Sequence, residues 1–326
     1  MFHGNNKTDG DIRMALELGV GRFVCDSENE LEAIDRIAEE MKKKPLVLIR
    51  LTPGIDPHTH KSINTGTVDS KFGVAIETGD AERLVKKALE KKNIELMGYH
   101  CHVGSQIFEC EPFCEAAEKM LGFSADIKSK LGFEAPEINL GGGMAVPYKE
   151  TDPKICYTDN IKAVGECIDE LLEKLSLSRP VFYLEPGRSM VADNGMTLYT
   201  VGTVKCIEGH KNYVSVDGGM ADNPRYALYD APYTLINATH ADKECDFVAT
   251  VGGRCCESGD LIQEDVPLVR PARDDILAVL TTGAYNFSMS SNYNRLCRPA
   301  LVTLDNGEAY ISVKRESFED LVRNDI

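Results

Sequence analysis

Nowhere in these 326 residues does an apolar run approach the roughly 18 that a membrane-spanning helix requires. Met1 opens into the polar stretch Gly4-Asn5-Asn6-Lys7, without the apolar core of a secretory signal. Positive charge is scarce: 36 Lys and Arg stand against 52 Asp and Glu, a net charge of −16. Phosphate binding wants clustered cations, so nucleic acid and anionic membrane surfaces are poor partners, and any anion must be met by local donors. Paired C-x-x-C spacing is missing, although 11 cysteines are present and Cys101 stands between His100 and His102. A zinc site built from these residues with Cys110 and Cys114 has to be weighed, but scattered reduced thiols are the simpler reading and no metal is expected. The odd cysteine count and the absent signal point to a cytoplasmic protein rather than a disulfide framework. No solenoid repeat and no low-complexity linker interrupts the chain.

What is present is enough apolar residue, 43% of the total, for a sizeable core and about two domains. In the first half, short apolar runs at 22–26, 45–51, 96–102, 137–140 and 181–184 alternate with amphipathic stretches at 27–41, 81–91, 112–131 and 159–175. That alternation predicts parallel strands in an α/β arrangement of (β/α)8 TIM-barrel type. Ser27 is a candidate N-cap with Glu30 three residues on, and Leu31, Ile34, Ile37 and Ala38 share one face of the helix that follows. After about residue 195 the texture changes to strands at 197–207, 213–216, 247–251, 276–281 and 309–313. The expected division is a partial barrel over 1–195 and a β-sandwich or β-barrel-like domain over 196–326.

Polar and glycine-bearing segments follow the first-half strands, on the face where a parallel barrel builds its active site. Gly141-Gly142-Gly143 could form an amide nest for a phosphate, or simply a tight turn. Glu185-Pro186-Gly187-Arg188 closes the next strand with an acid and a base, which could also pair with each other. His100 and His102 should lie on the same side of their strand, and either could be a ligand residue or a hydrogen-bonded core histidine. Three further polar clusters mark the second half: 217–220, 255–260 and 283–294. Their spacing alone names no reaction.

Together these segments resemble the diaminopimelate decarboxylases, pyridoxal-phosphate-dependent enzymes of the alanine-racemase-like fold type III that also includes ornithine and arginine decarboxylases. The likeness runs in order through Phe2 to Lys7, Asp69-Ser70-Lys71-Phe72-Gly73, His102-Val103-Gly104-Ser105-Gln106, the triple glycine, Glu185 to Arg188, Asp217 to Met220, Cys256 to Asp260 and Gly283 to Tyr285. It implies pyridoxal 5'-phosphate as cofactor, with Glu185 at the pyridine nitrogen and His102 stacked on the ring. Ser105, the amides of Gly141, Gly142 and Gly143, and Tyr285 would meet the phosphate, with Pro186, Gly187 and Arg188 completing the motif around the cofactor. For a diamino dicarboxylate substrate it implies Arg188 and Arg225 at the distal carboxylate, Tyr229 and Tyr285 as hydroxyls, Glu257 at the distal ammonium, and Cys256 as a catalytic thiol lent across a homodimer.

The family's Schiff-base lysine lies in a tyrosine-alanine-x-lysine-alanine-type motif on the first barrel strand, and this sequence has no such motif. The chain is therefore expected to start at the third strand, as part of a longer enzyme. Lys7, Lys61 and Lys71 sit in otherwise matching motifs and are explained by those positions. Decarboxylation of meso-diaminopimelate to L-lysine is the expected activity. A catalytically incompetent subunit docked on an intact homologue, and an ornithine-, arginine- or carboxynorspermidine-type decarboxylase, are the alternatives.

Overall fold

The computed structural model describes residues 1–55 and 70–326. Lys61 and Asp69 lie outside the described residues. The chain forms two compact units: Met1–Ala145 with Lys154–Gly187, and Val146–Pro153 with Arg188–Ile326.

In the first unit the strands are β1 (Phe23–Cys25), β2 (Leu46–Thr52), β3 (Val74–Ala75), β4 (Glu95–His100), β5 (Glu137–Asn139) and β6 (Val181–Tyr183). They pair in the order β1-β2-β4-β5-β6, with β3 extending the end of β2. All these pairs are parallel, with Phe23 opposite Val47, Leu46 opposite Glu95, Gly98 opposite Glu137, and Glu137 opposite Val181. A parallel bridge from Phe2 to Phe23 continues the sheet past β1. This is the partial barrel that the alternating pattern implied. The two-residue β3 is too short to carry a hydrophobic period, so it was not visible in the sequence.

Helices α1 (Asp9–Glu17), α2 (Glu28–Met41), α3 (Asp80–Glu90), α4 (Glu111–Leu131) and α5 (Tyr157–Leu175) cross over between strands. In α2, Ser27 accepts from the Glu30 amide, and Leu31, Ile34, Ile37 and Ala38 are fully buried. Each such branched side chain contributes about 1.5–3 kcal/mol by leaving water. Glu30 does not return to the cap: its carboxylate turns to Lys7 at 2.6 Å. The helix ends where Lys42 takes a left-handed conformation at φ 53°. A bidentate contact from Arg22 to the buried Glu137, at 2.7 and 2.5 Å, ties the entry of β1 to β5.

The second unit contains α6 (Arg188–Val191), β7 (Met196–Cys206), β8 (Asn212–Val216), α7 (Arg225–Tyr229), β9 (Leu235–Asn237), β10 (Phe247–Gly252), β11 (Leu261–Leu268), β12 (Ile276–Leu280), α8 (Asn286–Met289), β13 (Leu301–Asp305), β14 (Glu308–Val313) and α9 (Phe318–Val322). Six strands form one sheet in the order β11-β10-β8-β7-β12-β9, and β13 and β14 form a separate hairpin. Tyr199, Val201, Val214, Val251, Ile262, Leu277 and Val279 form its core. The first strand of this unit begins at Met196, and the short helices α6 to α9 show that the unit is not purely strand.

Candidate functional site

In the first unit, groups from three successive strand ends meet. Glu185 follows β6, and its two oxygens accept from different histidines: Oε1 from His3 Nε2 at 2.7 Å and Oε2 from His100 Nε2 at 3.2 Å. The two imidazoles tilt against each other with centroids 4.8 Å apart. Burial would raise the Glu185 pKa, but the hydrogen bonds from His100 and His3 outweigh it and hold the carboxyl well below the usual range. Glu185 is therefore ionised at neutral pH.

His100 behaves oppositely. Burial drives its pKa down to about 4, against the pull of Glu185, so the ring is neutral and donates its single N–H to the carboxylate. Its Nδ1 is buried without a hydrogen-bond partner among the described residues. His102 is likewise lowered to about 4 by burial, with Arg50 adding to the effect. Its Nδ1 accepts from the Gly142 amide at 3.3 Å, which places the ring proton on Nε2. Cys101, between them, is fully buried, and its thiol is pushed up to about 12 by that burial. Such a thiol is inert. His3, His100 and Glu185 are also the one group among the described residues whose potential metal-ligand atoms all lie within 4.8 Å of one another.

Two amides of the triple glycine after β5 are engaged within the chain. The Gly141 amide donates to Asn139 Oδ1 at 2.8 Å and the Gly142 amide to His102 at 3.3 Å. The Gly143 carbonyl accepts from Ile107, which stitches the run to the loop carrying Ser105. The glycines are needed for close approach. A Cβ on Gly141, at φ +72°, would stand 2.5 Å from the Cys101 carbonyl, and one on Gly142 would strike the Glu185 carbonyl. The run thus lets the backbones bearing His102 and Glu185 come together.

Lys7 is not a nucleophile. Its Nζ donates to the Gly4 carbonyl at 2.8 Å, the Val24 carbonyl at 2.7 Å and the Glu30 carboxylate at 2.6 Å, which uses all three N–H bonds. Lys71 packs its ammonium over the Phe72 ring at 4.9 Å.

In the second unit, two buried guanidinium groups share a tyrosine cluster. Arg225 donates to Tyr233 Oη at 3.0 Å and lies 4.5 Å over Tyr148; Arg188 donates to Tyr148 Oη at 2.5 Å and lies 4.9 Å over Tyr285. The Tyr148 and Tyr233 rings pack edge to face at 5.5 Å. Arg225 is only 5% exposed, yet among the described residues it has no ion pair. Two stacked guanidiniums in one hydroxyl-rich cluster can receive a carboxylate in bidentate fashion. Tyr285 is held at φ 68° on a loop whose Gly283 passes so close to Val191 that a Cβ would collide with its carbonyl.

Asp260 organises the remaining loops. Its buried carboxylate accepts from the Met220 amide and the Cys255 amide, both at 2.6 Å, pinning the 217–220 loop to the one that bears Cys256. The Cys256 amide donates to Asn294 at 2.7 Å, and its side chain is exposed.

Residues 1–192 match the family described as pyridoxal-dependent decarboxylase, pyridoxal binding domain. The chain belongs to this family. It is 42% identical over 325 residues to a diaminopimelate decarboxylase of Bacillus subtilis (strain 168), covering 100% of this chain and 74% of the relative. Identity to that of Staphylococcus aureus (strain COL) is 43%, covering 99% and 75%. The solved structure of diaminopimelate decarboxylase from M. jannaschii in complex with L-lysine superposes with a TM-score of 0.88 at 34% identity, covering 99% of this chain and 73% of that one.

Set against the family's implied site, Glu185 and His102 are brought together in the first unit with Gly141 to Gly143, and Ser105 lies half-buried on the loop after β4. Pro186 and Gly187 are exposed. In the second unit Arg188, Arg225 and Tyr285 share the tyrosine cluster. The hydroxyl that meets Arg225 is Tyr233's, whereas Tyr229 closes α7 half-buried. Glu257 is exposed on the Cys256 loop, where it accepts from the Gly259 amide. Sequence reasoning missed His3 as a partner of Glu185, and Tyr148 and Tyr233 around the arginines. The Phe2-His3-Gly4 motif was the one available signal for the first. Nothing in the spacing marked the tyrosines.

Proposed function

We propose that this chain acts in the pyridoxal-phosphate-dependent decarboxylation of meso-2,6-diaminopimelate to L-lysine and carbon dioxide, a step of lysine biosynthesis. Pyridoxal phosphate supplies an electron sink for the electron pair left when carbon dioxide departs. The residues of the first unit fit that cofactor. Glu185 is an ionised carboxylate with one lone pair per oxygen still to offer, suited to a protonated pyridine nitrogen. His102 would stack on the ring, and Ser105 and Tyr285 would donate to the phosphate. Gly141, Gly142 and Gly143 supply clearance more than donors.

The observation that carries the substrate assignment is Arg225, buried among tyrosines with no ion pair among the described residues. A buried guanidinium is costly unless something anionic meets it, and the distal carboxylate of a dicarboxylate does so where ornithine has none. Arg188 would assist, with Tyr229 and Tyr285 as further hydroxyls and Glu257 at the distal ammonium. Cys256 would deliver the proton that replaces carbon dioxide. Calorimetry on the purified protein with pyridoxal phosphate should show meso-diaminopimelate binding at least about tenfold more tightly than ornithine, and Arg225→Ala should abolish that preference. Equal affinity for both ligands in the parent protein would refute the assignment.

We further propose a homodimer in the cytoplasm. Supporting the first, the β13–β14 hairpin and α9 leave Leu304, Ile311 and Phe318 more than 60% exposed, which is unusual for an isolated surface. Supporting the second, all eleven cysteines are unpaired, and no described helix is long and apolar enough to cross a membrane. A second reading is favoured by the full engagement of Lys7: the chain serves as a non-catalytic subunit that lends its Cys256 loop to an intact decarboxylase. Failure to co-purify with such a homologue would remove it.

A further inference from the structure

Arg50 is a buried cation with no anion at hydrogen-bonding distance among the described residues. It lies on β2 in register with His100 of β4, so the two side chains leave the sheet on the same face. His100 spends its Nε2 on Glu185, and Arg50 therefore neighbours the His100–Glu185 pair. Behind burial, its charge helps to lower the pKa of both His100 and His102. The Arg50 side chain is only 10% exposed, and its one ion-pair partner among the described residues, Asp26, stays 3.8 Å from Nε. That Asp26 oxygen is itself buried with no hydrogen-bond partner among the described residues, while the other accepts from the Gly73 amide at 2.9 Å. Phe72 covers the guanidinium, its ring centroid 4.5 Å from the central carbon. Gly73 permits this approach: at φ +72°, a Cβ there would stand 2.9 Å from the Arg50 carbonyl and 3.1 Å from its Cγ. A guanidinium held by charge at one edge and by stacking on its face keeps its N–H donors for another group.

We propose that Arg50 binds the phenolate oxygen of the pyridoxal phosphate ring. The inference rests on the cofactor reading above and extends it to an anionic group that reading leaves unmet. A buried guanidinium is costly until an anion meets it, and the cofactor brings anionic oxygens in two places, the phosphate and the phenolate. These leave opposite edges of the ring, with the nitrogen between them. Ser105 and the triple glycine follow β4 and β5, whereas β2 lies on the side of β4 away from β5. Arg50 is therefore placed for the phenolate edge rather than the phosphate. Its planar fork can give an anionic oxygen two N–H bonds and keep the phenol ionised. Glu185 at the nitrogen and Arg50 at the phenolate would be two fixed points, which set the rotation of the ring in its own plane where one contact cannot.

The test is equilibrium dialysis of the full chain, without substrate, against pyridoxal phosphate and against its 3-O-methyl ether, which has no phenolate. The unmodified chain should bind pyridoxal phosphate roughly 10- to 100-fold more tightly than the ether. Arg50→Met should remove that preference, and Arg50→Lys, a point charge without the fork, should keep part of it. A preference that persists in Arg50→Met reports a clash with the added methyl group and overturns the proposal. So does an Arg50→Met chain that binds pyridoxal phosphate normally, as it would if Arg50 met the substrate, or one that no longer distinguishes pyridoxal phosphate from pyridoxal, as it would if Arg50 met the phosphate. Should Arg50→Met fail to fold with Asp26 left buried, Asp26→Asn/Arg50→Met removes both charges and takes its place. Equal binding of cofactor and ether by the unmodified chain defeats this inference alone, whereas binding of neither defeats the cofactor reading and the inference with it.

Discussion

Replacing Lys7 with methionine should destabilise the first unit by about 3–5 kcal/mol, the usual consequence of stranding one member of a buried ion pair. Lys7 and Glu30 are 1% and 5% exposed in their side chains, and the ammonium also satisfies the Gly4 and Val24 carbonyls. For a unit of roughly 150–250 residues, that loss lowers the melting temperature by about 6–20 °C. The pH dependence identifies the cause. Burial raises the folded-state pKa of Glu30, while Lys7 pulls it down; without Lys7 it rises further. A carboxyl whose folded pKa is raised favours the folded state below its unfolded pKa and opposes it increasingly as pH climbs through the folded value. The cost of Lys7→Met should therefore be larger at pH 8 than at pH 5. Lys7→Met/Glu30→Met removes both charges and should recover all but about 1–2 kcal/mol, the residue being the two deserted carbonyls. Urea unfolding at the two pH values is the assay. A double variant no more stable than the single, or a cost independent of pH, would refute this account of Lys7, and a borohydride-trapped pyridoxyl adduct on Lys7 would refute its exclusion as a nucleophile.

His100 should give the first unit an acid sensitivity of its own: its folded pKa of about 4 lies below the ordinary histidine value, so stability present above about pH 6.5 is lost as pH falls toward 4, by roughly 3 kcal/mol. His100→Gln should flatten that part of the urea-midpoint profile, and an unchanged slope would contradict it. Gly142→Ala drives a methyl into the Glu185 carbonyl and should cost about 3 kcal/mol while weakening pyridoxal phosphate binding, read by chemical unfolding and by cofactor absorbance. Asp260→Ala leaves two loop amides without an acceptor and should cost about 1–3 kcal/mol; faster alkylation of Cys256 is the accompanying readout, and an unaltered rate would count against a loop-pinning role.

The α/β order of the first unit, the five apolar strands, the helix faces of α2 to α5 and the change of texture near residue 195 were determined by the sequence alone. Those features are written in local periodicity, which depends on neighbours a few residues away. The family motifs were also legible, because each is a short contiguous string. What only the tertiary structure decided is who faces whom. Glu185 takes its charge state from His3, 182 residues away, and from His100, 85 away. Arg225 donates to Tyr233, which the chain brings back eight residues on. The amide of Gly142 meets His102 only once β4 and β5 stand side by side. Cys167 joins Cys114 only through the packing of α5 on α4. Burial, pairing and pKa depend on those long-range approaches, and no local pattern encodes them.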